Sequence, residues 1–227
     1  TLSSSSAASD VYKRQDITLE GELGKISKLC YERDFQEAEI IIKNINQKYL
    51  KNPIFWNQVG TCYLLQQKRR KALLFYNKAL AIKSNYAPSL NNLGVMYIHE
   101  KDFSRALVAF KKARKAKQFS RTPRINLANL YINIGLYDQA IVELNALFNV
   151  SKNDVDVLNL LGTAHLMQND VAKSLAFFSR IGGDFVEEAR FGINYALSLY
   201  LNGKEEKSRD VFGDINTKNL GAWSEYY

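Results

Sequence analysis

Phe55–Leu80, FWNQVGTCYLLQQKRRKALLFYNKAL, and Ser89–Arg114, SLNNLGVMYIHEKDFSRALVAFKKAR, superimpose without a gap at an offset of 34 residues. Each is two helix-length apolar patterns joined by a short polar break. Extending the register predicts repeats starting near Leu19, Pro53, Ala87, Arg121, Val155 and Ala189. Small residues recur where two helices must approach closely. On the first helix they are Gly60, Gly94, Ala128, Gly162 and Ala196; on the second, Ala38, Ala72, Ala106, Ala140, Ser174 and Ser208. Bulky residues follow at fixed spacing: Leu29, Tyr63, Tyr97, Tyr131, His165 and Leu199, then Ile42, Tyr76, Phe110, Leu144, Phe178 and Phe212. Small against large predicts interlocking within an antiparallel pair. Pro53, Pro88 and Pro123 each fall at the opening of a first helix, where a missing N–H costs little.

The 227 residues are 46% hydrophobic with only three prolines, so most of the chain is expected to be ordered. No run approaches the roughly 18 to 20 apolar residues of a membrane-spanning helix. Cys30 and Cys62 show neither CxxC nor zinc-type spacing, which argues against a disulfide framework and against a metal site. The net charge of +8 is unevenly spread. Residues 53–124 hold fifteen Lys/Arg against Glu100 and Asp102, a net of +13. Residues 16–52 carry −1 and residues 125–227 carry −5. An electrostatic partner is expected to meet the basic middle block.

The repeat resembles the tetratricopeptide (TPR) family. Its pattern is carried by Trp56, Val59, Gly60, Tyr63, Ala72, Tyr76 and Ala79, and again by Leu93, Gly94, Tyr97, Ala106, Phe110 and Ala113. Glu22 and Lys25 stand where a first helix normally packs, Arg69 and Glu205 replace a usual aromatic, and the closing proline is absent. The resemblance implies an all-α fold, an α-solenoid of antiparallel helix hairpins wound as a right-handed superhelix. First helices would line a concave groove and second helices the convex side.

Two stretches bear on where the array begins and ends. Ser5–Gln15, SSAASDVYKRQ, resembles a translated sequencing adapter, so residues 1–15 read as a non-native leader and the native N-terminus is expected to be missing. The array is assigned to residues 16–222. Residues 223–227 begin a further repeat or capping helix, expected to be truncated; the alternative is a short tail folding Trp223 and Tyr227 over the last hairpin.

No catalytic constellation assembles. HExxH, a glycine-rich phosphate loop and GxSxG are all missing. His165 takes a slot that holds tyrosine in three other repeats and reads as packed core, while His99 reads as polar groove lining. Gly182 and Gly183 before Asp184 read as a helix C-cap and turn. The expectation is a non-catalytic protein with no cofactor and no metal.

The family resemblance places Asn57, Asn91 and Asn159 along the groove, beside a second row of Gln58, Asn92, Asn126 and Asn194, with Leu160 as a break. Thr61, Asn129 and Thr163 lie one turn further on. Carboxamides donate and accept at once, so a row of them can hold an extended peptide through its backbone. This is similar to the asparagine ladder of the TPR superhelix in protein O-linked sugar transferases. A carboxylate clamp for chaperone tails needs groove lysines and an arginine, and is disfavoured by Asn57, Asn91, Thr61 and Thr163.

A second candidate is an electrostatic docking edge. Lys68, Arg69, Arg70 and Lys71 form its first part; Lys111, Lys112, Arg114, Lys115 and Lys117 form its second. The expected function is a protein–protein interaction scaffold binding a peptide or acidic partner, on resemblance in a bacterial assembly, secretion or pilus-biogenesis complex. The alternatives are the substrate-recognition arm of a larger enzyme such as a glycosyltransferase, and a basic helical-repeat nucleic-acid binder, which the lack of a base-stacking module disfavours. The compartment is not legible.

Overall fold

A computed structural model describes residues 21–116, 120–181 and 189–215, without the side chains of 189–190. The adapter-like stretch, Lys117, Gly182, Gly183, Asp184, Trp223 and Tyr227 lie outside the described residues. Among the described residues there are twelve α-helices and no strand. They run α1 (Glu22–Tyr31), α2 (Phe35–Ile45), α3 (Pro53–Leu65), α4 (Arg69–Ile82), α5 (Ala87–His99), α6 (Phe103–Ala116), α7 (Arg121–Asn133), α8 (Tyr137–Phe148), α9 (Val155–Met167), α10 (Val171–Phe178), α11 (Ala189–Leu201) and α12 (Glu205–Asp214). The second helices all start 34 residues apart, and so do the first helices from α3 onward. Two compact units divide the chain, residues 1–123 and 124–227. In the N-terminal unit α1 packs on α2, α3 on α4 and α5 on α6, with α3 against α1 and α5 against α4. In the C-terminal unit α9 packs on α8 and α10, and α11 on α9, α10 and α12. Within each unit, hairpins stacked on their sequence neighbours make a solenoid held by nearest-neighbour contacts.

One turn geometry closes all six hairpins. Arg33, Gln67, Lys101, Gly135, Asn169 and Gly203, spaced by 34, adopt left-handed backbone with φ between 57° and 77°. In the second hairpin Gln67 N–H donates to the Leu64 carbonyl and Lys68 N–H to the Tyr63 carbonyl; the other five repeat this pair of bonds. The bonds satisfy the orphan carbonyls at the end of each first helix. Asp34, Asp102 and Asp170 then cap the following helix through their carboxylates.

The small–large series interlocks as complementary volumes. A Cβ added at Gly60 would stand 2.7 Å from the Tyr76 ring and one at Gly162 2.8 Å from Phe178, while at Gly94 it would meet Phe110. Glycine therefore faces an aromatic ring three times; in the fourth hairpin the same two positions hold Ala128 and the smaller Leu144, both buried. The last hairpin departs from expectation. Phe212 is 65% exposed rather than packed. Ala196 occupies the glycine position there, and its Cβ takes space a ring would need, so α12 buries Ser208 and Val211 instead, with Ile215 buried just beyond its end.

A second correction concerns the cysteines. Cys30 of α1 and Cys62 of α3 form a disulfide across consecutive first helices. Their sequence separation of 32 hid the pairing, because adjacent repeats bring nearly equivalent positions together. The departures at Glu22 and Lys25 stay at the surface. Glu22 accepts from Lys48 Nζ at 2.6 Å and Tyr49 OH at 2.9 Å, which holds its carboxyl below the usual range, and Lys25 lies 3.7 Å from Glu37.

Candidate functional site

First helices carry Asn, Gln and Thr at fixed register, and the fold sets them against the same positions of the next repeat. In the N-terminal unit this produces a sealed polar seam between α3 and α5. Asn57 Oδ1 accepts from Ser89 Oγ at 2.9 Å and from Asn92 Nδ2 at 3.1 Å. Thr61 Oγ1 donates to the Asn57 main-chain carbonyl at 3.1 Å and lies 3.2 Å from Tyr76 OH. Asn57, Gln58, Asn91 and Asn92 are only 4%, 2%, 1% and 1% exposed. Gln58 keeps both amide atoms, and Asn92 its Oδ1, buried without a hydrogen-bond partner among the described residues. Ser89 and Tyr76 belong to this seam as well. Sequence reading places Tyr76 among the packed bulky residues and gives Ser89 no role.

In the C-terminal unit the same link recurs once. Asn194 Nδ2 donates to Thr163 Oγ1 at 3.2 Å, and Thr163 donates to the Asn159 carbonyl at 2.9 Å. Here Asn126, Asn159, Thr163 and Asn194 are half-buried and Asn129 is exposed. Asn159 Oδ1 is buried without a hydrogen-bond partner among the described residues.

The histidines fall outside any such cluster. His165 is buried and stacks on Phe177 with centroids 5.6 Å apart; burial, first, holds its pKa below the ordinary value, with nearby Asp170 opposing. His99 is exposed.

The basic residues lie apart from the seam. Lys68 donates to Gln66 Oε1 at 2.6 Å and approaches Glu39 at 3.9 Å, while Lys71 lies 5.1 Å above the Tyr63 ring. Arg69, Arg70, Lys111, Lys112 and Lys115 are exposed and Arg114 is half-buried. Arg69, Arg70 and Lys71 form the first turn of α4, the end of a helix that disfavours cations by about 0.3–1 kcal/mol each. The Lys111–Lys115 stretch sits instead toward the end of α6, where cations are favoured.

Residues 97–162, from the end of α5 through α6–α8 to the first half of α9, match the family model described as tetratricopeptide repeat. That middle stretch matches the tetratricopeptide-repeat family, and the rest of the chain shares its fold. Solved structures of the same fold include PilF of Pseudomonas aeruginosa, 14% identical with a TM-score of 0.74, covering 90% of this chain and 94% of PilF. PilW, described as a widely conserved type IV pilus biogenesis factor, is 16% identical with a TM-score of 0.66, covering 92% of this chain and 96% of PilW. YrrB, described as a TPR protein with an unusual peptide-binding site, is 17% identical with a TM-score of 0.63, covering 76% of this chain and 89% of YrrB. Sequence comparison with curated proteins finds no match. At these identities the likeness to the TPR structures is one of fold.

Proposed function

We propose that this chain is a non-catalytic scaffold that holds an extended segment of a partner protein along the first-helix carboxamides of its N-terminal unit. The observation carrying this reading is the set of unpaired buried amide atoms on Gln58 and Asn92, both in the N-terminal unit. Each unmet buried polar group costs about 1–3 kcal/mol, and a peptide backbone offers both the donor and the acceptor it lacks. Access to Gln58 requires the seam between α3 and α5 to open, and those two helices touch each other sparingly. The basic block of residues 53–124 favours a partner segment rich in Asp and Glu. The fold shared with PilF and PilW supports a place in a bacterial pilus or secretion assembly. The Cys30–Cys62 bridge suits an oxidising compartment.

The test is Gln58→Met, which replaces the unpaired amide by an apolar side chain of similar shape. Peptides selected from a random displayed library against the unaltered chain should bind the variant at least about tenfold more weakly. The variant itself should melt no lower than the parent. Equal peptide binding by the two proteins would sink the reading, as would failure to select any peptide.

A further inference from the structure

A different slot recurs beside the second helix in hairpins two to five and is filled differently from repeat to repeat. In the second hairpin Trp56 and Phe75 stack with centroids 5.6 Å apart, and Phe75 stacks on Tyr63 at 5.2 Å. The Lys78 ammonium lies 3.3 Å from the Trp56 ring. In the fourth hairpin the positions of Trp56 and Phe75 hold Arg124 and Glu143, which form a buried ion pair. In the fifth they hold Leu158 and Phe177, the latter stacked on His165.

The third hairpin has Leu90 and Ala109 at those positions, so both rings are gone while Tyr97 remains. The space they would occupy is a pocket of about 380 Å³, walled by Leu80, Leu90, Leu93, Tyr97 and Ala109 and rimmed by Val108, Arg105 and Lys112. It lies wholly within the N-terminal unit and shares no residue with the carboxamide seam. Val108 is 53% exposed at its rim. Arg105 covers the Tyr97 ring at 4.5 Å and is paired with Asp102. Lys112 is the counterpart of Lys78, without a ring beneath it and without an ion-pair partner among the described residues.

We propose that this pocket is a second docking site, receiving an aromatic side chain from an acidic segment of a partner protein. The aromatic ring would replace the chain's own missing rings, against Tyr97 and beneath Lys112, where a cation gains from a ring face. Carboxylates beside that ring would meet Lys112 and the surrounding net positive block.

The experiment uses the whole chain and a short synthetic peptide of Asp and Glu with one central Trp, followed by amide chemical shifts and fluorescence anisotropy. Shifts should centre on Tyr97, Val108 and Ala109. Replacing the peptide's Trp by Ala should weaken binding about tenfold or more. Ala109→Phe, which refills the slot as in the second hairpin, should weaken it by at least as much. Lys112→Glu should weaken it several-fold and flatten its salt dependence, and serves if Ala109→Phe fails to fold. Gln58→Met should leave this binding unchanged, which separates the pocket from the carboxamide reading. Equal affinity for the Ala peptide overturns the proposal. So does binding to phosphatidylglycerol vesicles that Ala109→Phe does not alter, with no binding to the Trp peptide; that pattern would assign the basic face to a membrane surface.

Discussion

The N-terminal unit and the C-terminal unit use the same helix pair but treat their polar first-helix positions in opposite ways. Around Asn57, four further polar side chains converge, and the seam is closed to solvent. Around Asn159 the matching residues are half-buried or exposed. The difference lies in the neighbours. Leu160 interrupts one row, Ile125 and Ile193 interrupt the other, and the position that Ser89 takes toward Asn57 holds Phe191 toward Asn159. Asn194 therefore has one side-chain partner where Asn57 Oδ1 has two. The repeat position alone does not make a residue a groove residue; its neighbours one repeat away decide whether it is spent internally.

That contrast can be broken most forcefully at the disulfide, which only the N-terminal unit has. Cys62→Ser should destabilise that unit by about 3–4 kcal/mol, from the loop the bridge closes. Hydrogen exchange should show the loss in α1–α6 with α9–α12 little changed. Uniform loss would mean that the two units unfold together. Next in size, Gly94→Ala and Gly162→Ala should each cost about 1–3 kcal/mol, because the added methyl meets a buried ring. Phe212→Ser should stay within about 0.5 kcal/mol, since that ring is outside. Chemical denaturation of the three variants gives the comparison directly.

The carboxamides sharpen the contrast at a smaller scale. Asn92→Ala removes a donor from the sealed seam and should cost about 1–2 kcal/mol, whereas exposed Asn129→Ala should cost less than about 0.5 kcal/mol. Equal melting temperatures for the two variants would show that the seam is no tighter than the open row. The smallest effect is the pH response of the C-terminal unit. His165 has its folded pKa below its unfolded one, so the neutral ring contributes stability that is complete above about pH 6.5 and declines as pH falls through that value. Asp170 at 3.8 Å offsets part of the loss. His165→Phe should flatten the melting temperature between about pH 7 and pH 5. An unchanged acid slope would place the titrating group elsewhere.

The fold was legible because the hairpins share one local recipe. An apolar stripe at helical period and a small residue set against a large one, with a proline opening three of the first helices, are readable within a single 34-residue window. Where that recipe is complete, as at Gly60 and Tyr76, sequence reading and structure agree. Where one half changes, as at Ala196 opposite Phe212, reading by position alone misplaces the ring. The polar rows were also readable as residues, since Asn and Gln recur at fixed offsets. Their mutual bonds were not, because Asn92 meets Asn57 and Thr61 only after two hairpins stack.

Sequence by itself thus determined the all-α class, the 34-residue period and the basic middle block, for these depend on spacing along the chain and on summed charge. The left-handed turn residue is a mixed case. Gly135 and Gly203 announce it, whereas Arg33, Gln67 and Lys101 adopt it only because the same pair of backbone bonds closes every hairpin. The tertiary structure decided the Cys30–Cys62 bridge, the sealing of the carboxamide seam and the open slot at Leu90 and Ala109. Each of these is a property of side chains brought together across helices, and each depends on which volume or hydrogen-bond partner the neighbouring helix supplies.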